Sequence, residues 1–256
     1  MHKFNSNGVE IAYDDEGQGD PILLVHGFAS NGRVNWVDTG WVKTLVGAGY
    51  RVINIDNRGH GESEKLYDPA LYEAAEMAED GGRLLDHLKI SRAHVMGYSM
   101  GARISAFLAI NHPSRVATAV LAGLAENMIK GVGGGPEIAK GLEAASIVDV
   151  EDMGARAFRY FAELTRSDLK ALAACIKSSR VKITGEMLAG IKSPVLVVVG
   201  EKDDLSGPVE PLVRAIPGAL GLTLPGRNHM NAVGDKGYKG AVLQFLHDHP
   251  LGLDKS

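Results

Sequence analysis

Cysteine is almost absent from this chain, occurring once, as Cys175. No intramolecular disulfide framework can form from one thiol, nor can a cysteine-rich metal site, so Cys175 is expected as a small buried apolar residue. An excess of basic residues is also missing: 27 Lys and Arg stand against 31 Asp and Glu, a formal net charge of -4. With no Lys/Arg run and no aromatic stacking motif to compensate, the chain has no positive field for holding phosphates, and nucleic acid is not an expected partner. No apolar run approaches the ~20 residues needed to span a bilayer. The start, from Met1 to Gly8, carries no apolar segment behind a basic one. These features lead to the expectation of a cytoplasmic protein without a membrane partner. Paired metal-ligand spacing is lacking around Asp203-Asp204 and among the histidines, and the run Gly131-Val132-Gly133-Gly134-Gly135 fits neither a phosphate-loop nor a dinucleotide pattern. No metal or cofactor is expected, and the glycine run reads as a hinge or mobile loop.

What the chain does have is length and apolar content: 256 residues, 45% hydrophobic and 23% charged, suffice for one large domain with a full core. Residues 9–15 and 21–25 flank a turn-rich stretch and read as antiparallel strands opening a sheet. Residues 22–25, 51–55, 94–96, 116–121 and 194–199 are apolar, mostly β-branched and without alternation, as strands covered on both faces should be. Helical patterns occupy 42–48, 71–88, 100–111, 209–216 and 238–247. This alternation predicts an α/β fold with a doubly wound, mostly parallel sheet, in which ligands bind beyond the carboxyl ends of the strands.

The loops at those ends carry the unusual residues. The stretch from Ala93 to Ala102 reads as a strand, a sharp turn bearing Ser99 and a helix start. In Gly97-Tyr98-Ser99-Met100-Gly101, glycines two before and two after the serine leave no side chains where the turning backbone presses on its neighbours. The serine can then hold a positive φ with its hydroxyl exposed, the form of a nucleophile elbow. The first amides of the following helix lack intrahelical partners, so the Met100 N–H suits an oxyanion. Other strand ends lead into His26-Gly27-Phe28, Asp56-Asn57-Arg58-Gly59-His60-Gly61-Glu62-Ser63, Gly200-Glu201-Lys202-Asp203-Asp204 and, after a last strand at 220–224, Gly226-Arg227-Asn228-His229. Serine, acid and histidine thus follow in the order this type of elbow requires.

With these five loops in sequence the chain resembles the α/β-hydrolases from Gly8 through His249, most closely the small serine esterase and cofactor-free haloperoxidase-like branch. The resemblance implies Ser99 as nucleophile, His229 as general base, Asp203 as its orienting carboxylate, and the backbone N–H groups of Phe28 and Met100 as the oxyanion hole. Asp203 rather than Asp204 ends the family's Gly-x-x-Asp spacing. The resemblance gives His26 and His60 scaffolding roles; Asp56 and Arg58 are expected to satisfy their own loop, and Tyr98 to touch an acyl group or pack the elbow. His2 is assigned to an N-terminal tail, and His87, His94, His112, His247 and His249 to surface or structural positions.

The alternation is interrupted between the strands at 116–121 and 194–199. A helical cap at 124–191 is therefore expected, inserted before the strand that precedes the acid, in a core made of 1–123 and 192–256. Apolar residues at helical spacing in 153–164 and 168–177 pack the cap, and Met128, Phe158, Phe161 and Met187 are candidates for an apolar substrate pocket. The expected activity is cleavage of carboxylic esters of small to medium, largely apolar substrates, by a monomer or homodimer. Serine at the elbow argues against epoxide hydrolases and haloalkane dehalogenases, which place aspartate there. Peracid formation stays open, as do hydrolysis of a carbon-carbon bond in a dienoate, with Arg33, Arg103 or Arg156 to hold its carboxylate, and a small-molecule receptor of slow turnover.

Overall fold

A computed structural model describes residues 1–178 and 181–251. Residues 179–180 of the expected cap and 252–256 of the expected core therefore lie outside the described residues. Eight strands form one sheet: β1 (His2–Ser6), β2 (Val9–Glu16), β3 (Asp20–Val25), β4 (Tyr50–Ile55), β5 (Ala93–Tyr98), β6 (Val116–Ala122), β7 (Val195–Gly200) and β8 (Leu220–Leu224). Their order is β1-β2-β4-β3-β5-β6-β7-β8, with β1 antiparallel to β2, β2 antiparallel to β4, and every other pair parallel.

One expectation is sharpened here and another corrected. The segments at 9–15 and 21–25 do run in opposite directions but are not neighbours, because β4 lies between β2 and β3. Apolar on both faces, β3 belongs in the sheet's interior, whereas β2, with exposed or half-exposed Glu10, Asp14, Asp15 and Glu16, suits its margin. His2 is not in a tail: it opens β1 and its ring lies 5.4 Å from that of Tyr13.

Helices cover both faces. α1 (Trp41–Gly47), α2 (Ala74–His87) and α3 (Met100–Asn111) precede β6, and α4 (Glu126–Lys130), α5 (Gly135–Glu143), α6 (Met153–Leu164), α7 (Leu169–Lys177) and α8 (Gly185–Ala189) lie between β6 and β7. After β7 come α9 (Glu210–Ala215), α10 (His229–Ala232) and α11 (Lys236–Asp248). Successive strand residues point to opposite faces, so Leu23 and Val25 join a core with α2, α3 and α9. Ile22 and Leu24 join the other, with Trp41 of α1 and Tyr238 of α11. Between β6 and β7, α5, α6 and α7 bury an apolar cluster of their own, including Ile138, Leu142, Ala162 and Leu172. Asp152 and Asp168 start α6 and α7 by accepting hydrogen bonds from the amides of Ala155 and Ala171. α4 and α8 instead pack against α9 of the core.

The elbow sits where β5 meets α3. A Cβ added at Gly97 would stand 2.1 Å from the Gly101 carbonyl oxygen, and one at Gly101 would stand 2.0 Å from that of Val25. Only a hydrogen fits at either place. Gly101→Ala is therefore expected to lower stability by roughly 3 kcal/mol or more, or to prevent folding. Urea denaturation checks this, and a variant as stable as the parent would contradict so close a crossing.

Candidate active site

Ser99 follows β5 and precedes the first residue of α3, with φ 57° and ψ −115°. Such a conformation costs a non-glycine residue on the order of 1–3 kcal/mol. Its amide is anchored by donating to the Ala122 carbonyl of β6, at 2.7 Å. The serine Oγ lies 3.1 Å from His229 Nε2, and His229 Nδ1 lies 2.8 Å from Asp203 Oδ2. Asp203 is buried while the imidazole is 16% exposed. The other oxygen of Asp203 accepts from the amides of Leu205 and Ser206. Asp204, the neighbouring alternative, is exposed. A carboxylate held by two amides fixes the ring so that Nδ1 donates and Nε2 faces the hydroxyl, ready to accept its proton.

The loops bearing acid and base are tied to each other. Lys202 N donates to the Arg227 carbonyl at 2.8 Å, and a side chain at Gly200 would meet that same oxygen at 2.3 Å. Asn228 then caps α10, accepting from the amides of Met230 and Asn231 while Asn231 Oδ1 accepts from Asn228 N. His229 is thus the first residue of a short capped helix, a feature not expected from the sequence. Tyr98 neither lies free to touch an acyl group nor merely packs: its hydroxyl donates to the His229 carbonyl at 2.6 Å, and its ring lies 5.3 Å from the imidazole. Tyr98 holds the backbone of the base.

On the other side, a Cβ at Gly27 would stand 3.3 Å from Ser99 Cβ, so the His26-Gly27-Phe28 loop abuts the elbow. Ser30 N closes a turn on the Gly27 carbonyl, with Ala29 at φ 58°. No local pattern points to Asn35, whose Oδ1 accepts from the Gly27 amide at 3.1 Å while its Nδ2 is buried without a partner among the described residues. Behind the loop, the Asn57 amide donates to His26 Nε2, so Nδ1 carries the ring proton and donates to the Gly27 carbonyl. His60 Nδ1 donates to the Arg58 carbonyl, and its ring lies edge-on to Phe28. Asp56 accepts from the amides of Gly32 and Glu62, and burial pushes its carboxyl up against their effect. Arg58 forks on to Asp80 at 2.7 and 2.8 Å. The Met100 amide opens α3, where no carbonyl lies one turn earlier to receive it.

The four pocket candidates are dispersed. Phe158 and Phe161 pack in the cluster of α5, α6 and α7, with the Phe158 ring 5.8 Å from that of Phe28. Met128 is fully buried in the core and Met187 lies half-buried against the same cluster. Cys175 is buried with its Sγ 3.9 Å from Met100 Sδ. An open cleft of about 1010 Å³ lies elsewhere, lined by residues including Gly134, Lys140, Asp149 and Lys177 and by none of Ser99, Asp203 or His229. The Gly131 to Gly135 run borders that cleft. Among the described residues, no helix is long and apolar enough to cross a membrane.

An eight-stranded, mostly parallel sheet with a strained serine after its central strand is the architecture of the α/β-hydrolases, and the sequence model described as "alpha/beta hydrolase fold" matches residues 20–132. The chain has the α/β-hydrolase fold and over that segment is similar to the α/β-hydrolases. Among these the chain is similar to the haloperoxidase-like branch: it is 37% identical over 116 residues to the non-heme chloroperoxidase of Kitasatospora aureofaciens, 45% of this chain and 40% of that protein. That alignment thus spans only about two-fifths of the relative. Solved structures align more fully. A hydrolase from Pseudomonas aeruginosa PA01 has a TM-score of 0.78 and 26% identity, covering 96% of this chain and 97% of that one. The enol-lactonase from Burkholderia xenovorans LB400 has a TM-score of 0.78 and 23% identity, covering 97% and 99%.

Burial lowers His26 and His94 to about 4 and His60 to about 3. Unfolded, each titrates near 6.5. Above that pH both states are neutral and nothing changes; below it the unfolded chain takes up protons that the native state refuses. Stability should fall as pH drops from about 6.5 towards 4, by roughly 2 kcal/mol per histidine at pH 5. A urea midpoint at pH 5 equal to that at pH 7 would contradict it. Tyr98→Phe, which removes only the hydroxyl, should slow the reaction of Ser99 with a serine-reactive phosphonate by about tenfold, a loss of about 1.4 kcal/mol; an unchanged rate would show that the His229 loop stands without that bond.

Proposed function

We propose that this protein is a serine hydrolase cleaving carboxylic esters of small to medium, largely apolar substrates through an acyl-enzyme. The observation that carries this reading is the continuous row Asp203, His229, Ser99, at 2.8 and 3.1 Å, ending on a serine in strained backbone. His229 Nε2 takes the Ser99 proton as Oγ attacks the ester carbonyl, and Asp203 stabilises the imidazolium without taking its proton. The amides of Phe28 and Met100 receive the oxyanion. The imidazolium then protonates the departing alkoxide, leaving an acyl-serine. Water, deprotonated by the same ring, attacks next; the acid leaves and Ser99 regains its proton. The aromatic pair Phe28 and Phe158 and the half-buried Met100 and Met187 support an apolar site.

The dienoate reading needs a cation for the substrate carboxylate, and the arginines considered for it contact residues other than those of the Asp203, His229, Ser99 row. Arg33 lies 3.7 Å from Asp38; Arg103 donates to the Met128 carbonyl at 3.1 Å and Arg156 to that of Val150 at 2.7 Å. Ester cleavage is the better supported reading.

Ser99→Ala should leave the fold intact and lower turnover of short-chain aryl esters by about 10⁴-fold or more. A phosphonate should label Ser99 in the parent. Labelling at another residue would overturn the site, and no hydrolysis of any such ester from mildly acidic to alkaline pH would overturn the substrate class. A biological output that survives Ser99→Ala would favour a receptor.

A further inference from the structure

Helix α6 has apolar character on two opposite faces. Ala155, Arg159 and Ala162 are buried. Opposite them Met153, Ala157, Tyr160 and Leu164 are all exposed, with Met153 75%, Tyr160 57% and Leu164 63% open to solvent. Val148, 75% exposed, lies just ahead of the helix. Four of the eleven large apolar side chains exposed among the described residues thus fall between 148 and 164, which makes this a concentrated patch and not ordinary scatter. The spacing of 153, 157, 160 and 164 alternates four and three residues, the seam by which one helix packs along another.

The charges beside the seam say what that other helix is. Arg156 and Glu163 lie seven residues apart on one flank. If a second α6 runs antiparallel about a two-fold axis at the seam's centre, Ala157 meets the partner's Tyr160 and Met153 meets the partner's Leu164. Arg156 then comes opposite the partner's Glu163, and the symmetry repeats this pair. A parallel pairing would set Arg156 against the partner's Phe161. Both charges retain capacity: Arg156 gives Nε to the Val150 carbonyl and Nη2, at 3.5 Å, to that of Val148, leaving Nη1, and Glu163 receives Arg159 on Oε1, leaving Oε2. A lipid surface is a poorer fit, because Glu151, Asp152 and Glu163 lie around the patch where a bilayer-binding helix carries Lys and Arg.

We infer that the exposed face of α6 joins two copies of this chain in an antiparallel, two-fold symmetric dimer, with Arg156 and Glu163 setting its direction. The contact is independent of the reaction assigned to Ser99. Sedimentation velocity on the full chain across the micromolar range tests it, with circular-dichroism melts showing that each variant is folded. A concentration-dependent dimer is expected, weakened at least about tenfold in Kd by Leu164→Glu and again by Arg156→Glu alone. The double change Arg156→Glu with Glu163→Arg should restore the affinity to within about threefold. A monomer at every concentration overturns the proposal. So does a dimer indifferent to Leu164→Glu, a double variant no tighter than the single, or a monomer that floats with phosphatidylcholine and phosphatidylglycerol vesicles.

Discussion

The crossing of α3 over the end of β3 is the constraint from which the rest follows. With hydrogens alone at Gly97 and Gly101, the backbone after Ser99 turns back close to the carbonyls of Val25 and His26. That approach fixes the serine in a conformation it would not choose, and brings the loop after β3 against it. A side chain at either glycine would push the helix away, and the hydroxyl and the Phe28 loop would part. The strain at Ser99 persists because the surrounding contacts over-determine it.

Around the crossing, the loops are tied by hydrogen bonds that reach beyond their own strands and helices. His26 receives the Asn57 amide, Asn35 holds Gly27, Lys202 holds Arg227, and Tyr98 holds His229. Most of these buried polar groups find partners, which offsets the cost of burying them, while Asn35 Nδ2 and His60 Nε2 have none among the described residues. Fixed tautomers follow as well: His26 and His60 stay neutral because burial disfavours their charged forms. The loops are thus linked into one hydrogen-bonded collar, in which the Tyr98 hydroxyl holds the His229 backbone.

Much of this was legible in the residues. The glycine spacing about Ser99 encodes close backbone approach, and unbroken apolar runs such as 116–121 mark strands covered on both sides. The resemblance to the α/β-hydrolases implied Asp203 and His229, and the two side chains lie 2.8 Å apart. Other features were not legible, for physical reasons. The turn at 16–19 marks two strands of opposite direction but not their order, because turn chemistry is local, whereas strand order is decided by which strand can be buried on both faces. In β1, only Phe4 and Ser6 of five residues are buried, too short an alternation to stand out. Asp203 and Asp204 are chemically equal until one is placed beside the ring. Tyr98 and its acceptor are 131 positions apart, and no local pattern records that reach. The outward stripe of α6 reads in sequence as ordinary cap packing, since periodicity cannot say which apolar face is covered.

The wide separation of the site's parts also orders events in time. Ser99 and the imidazole that meets it are 130 positions apart, and β7 and β8 must join the sheet before the two can approach. On a ribosome, where synthesis proceeds at about 5–20 residues per second, the hydroxyl is present for several seconds before its base exists. On the proposed reading a nascent chain is chemically silent until residue 229 has been made and β7 and β8 have joined the sheet, so that the reactive centre forms only inside a molecule assembled to contain it.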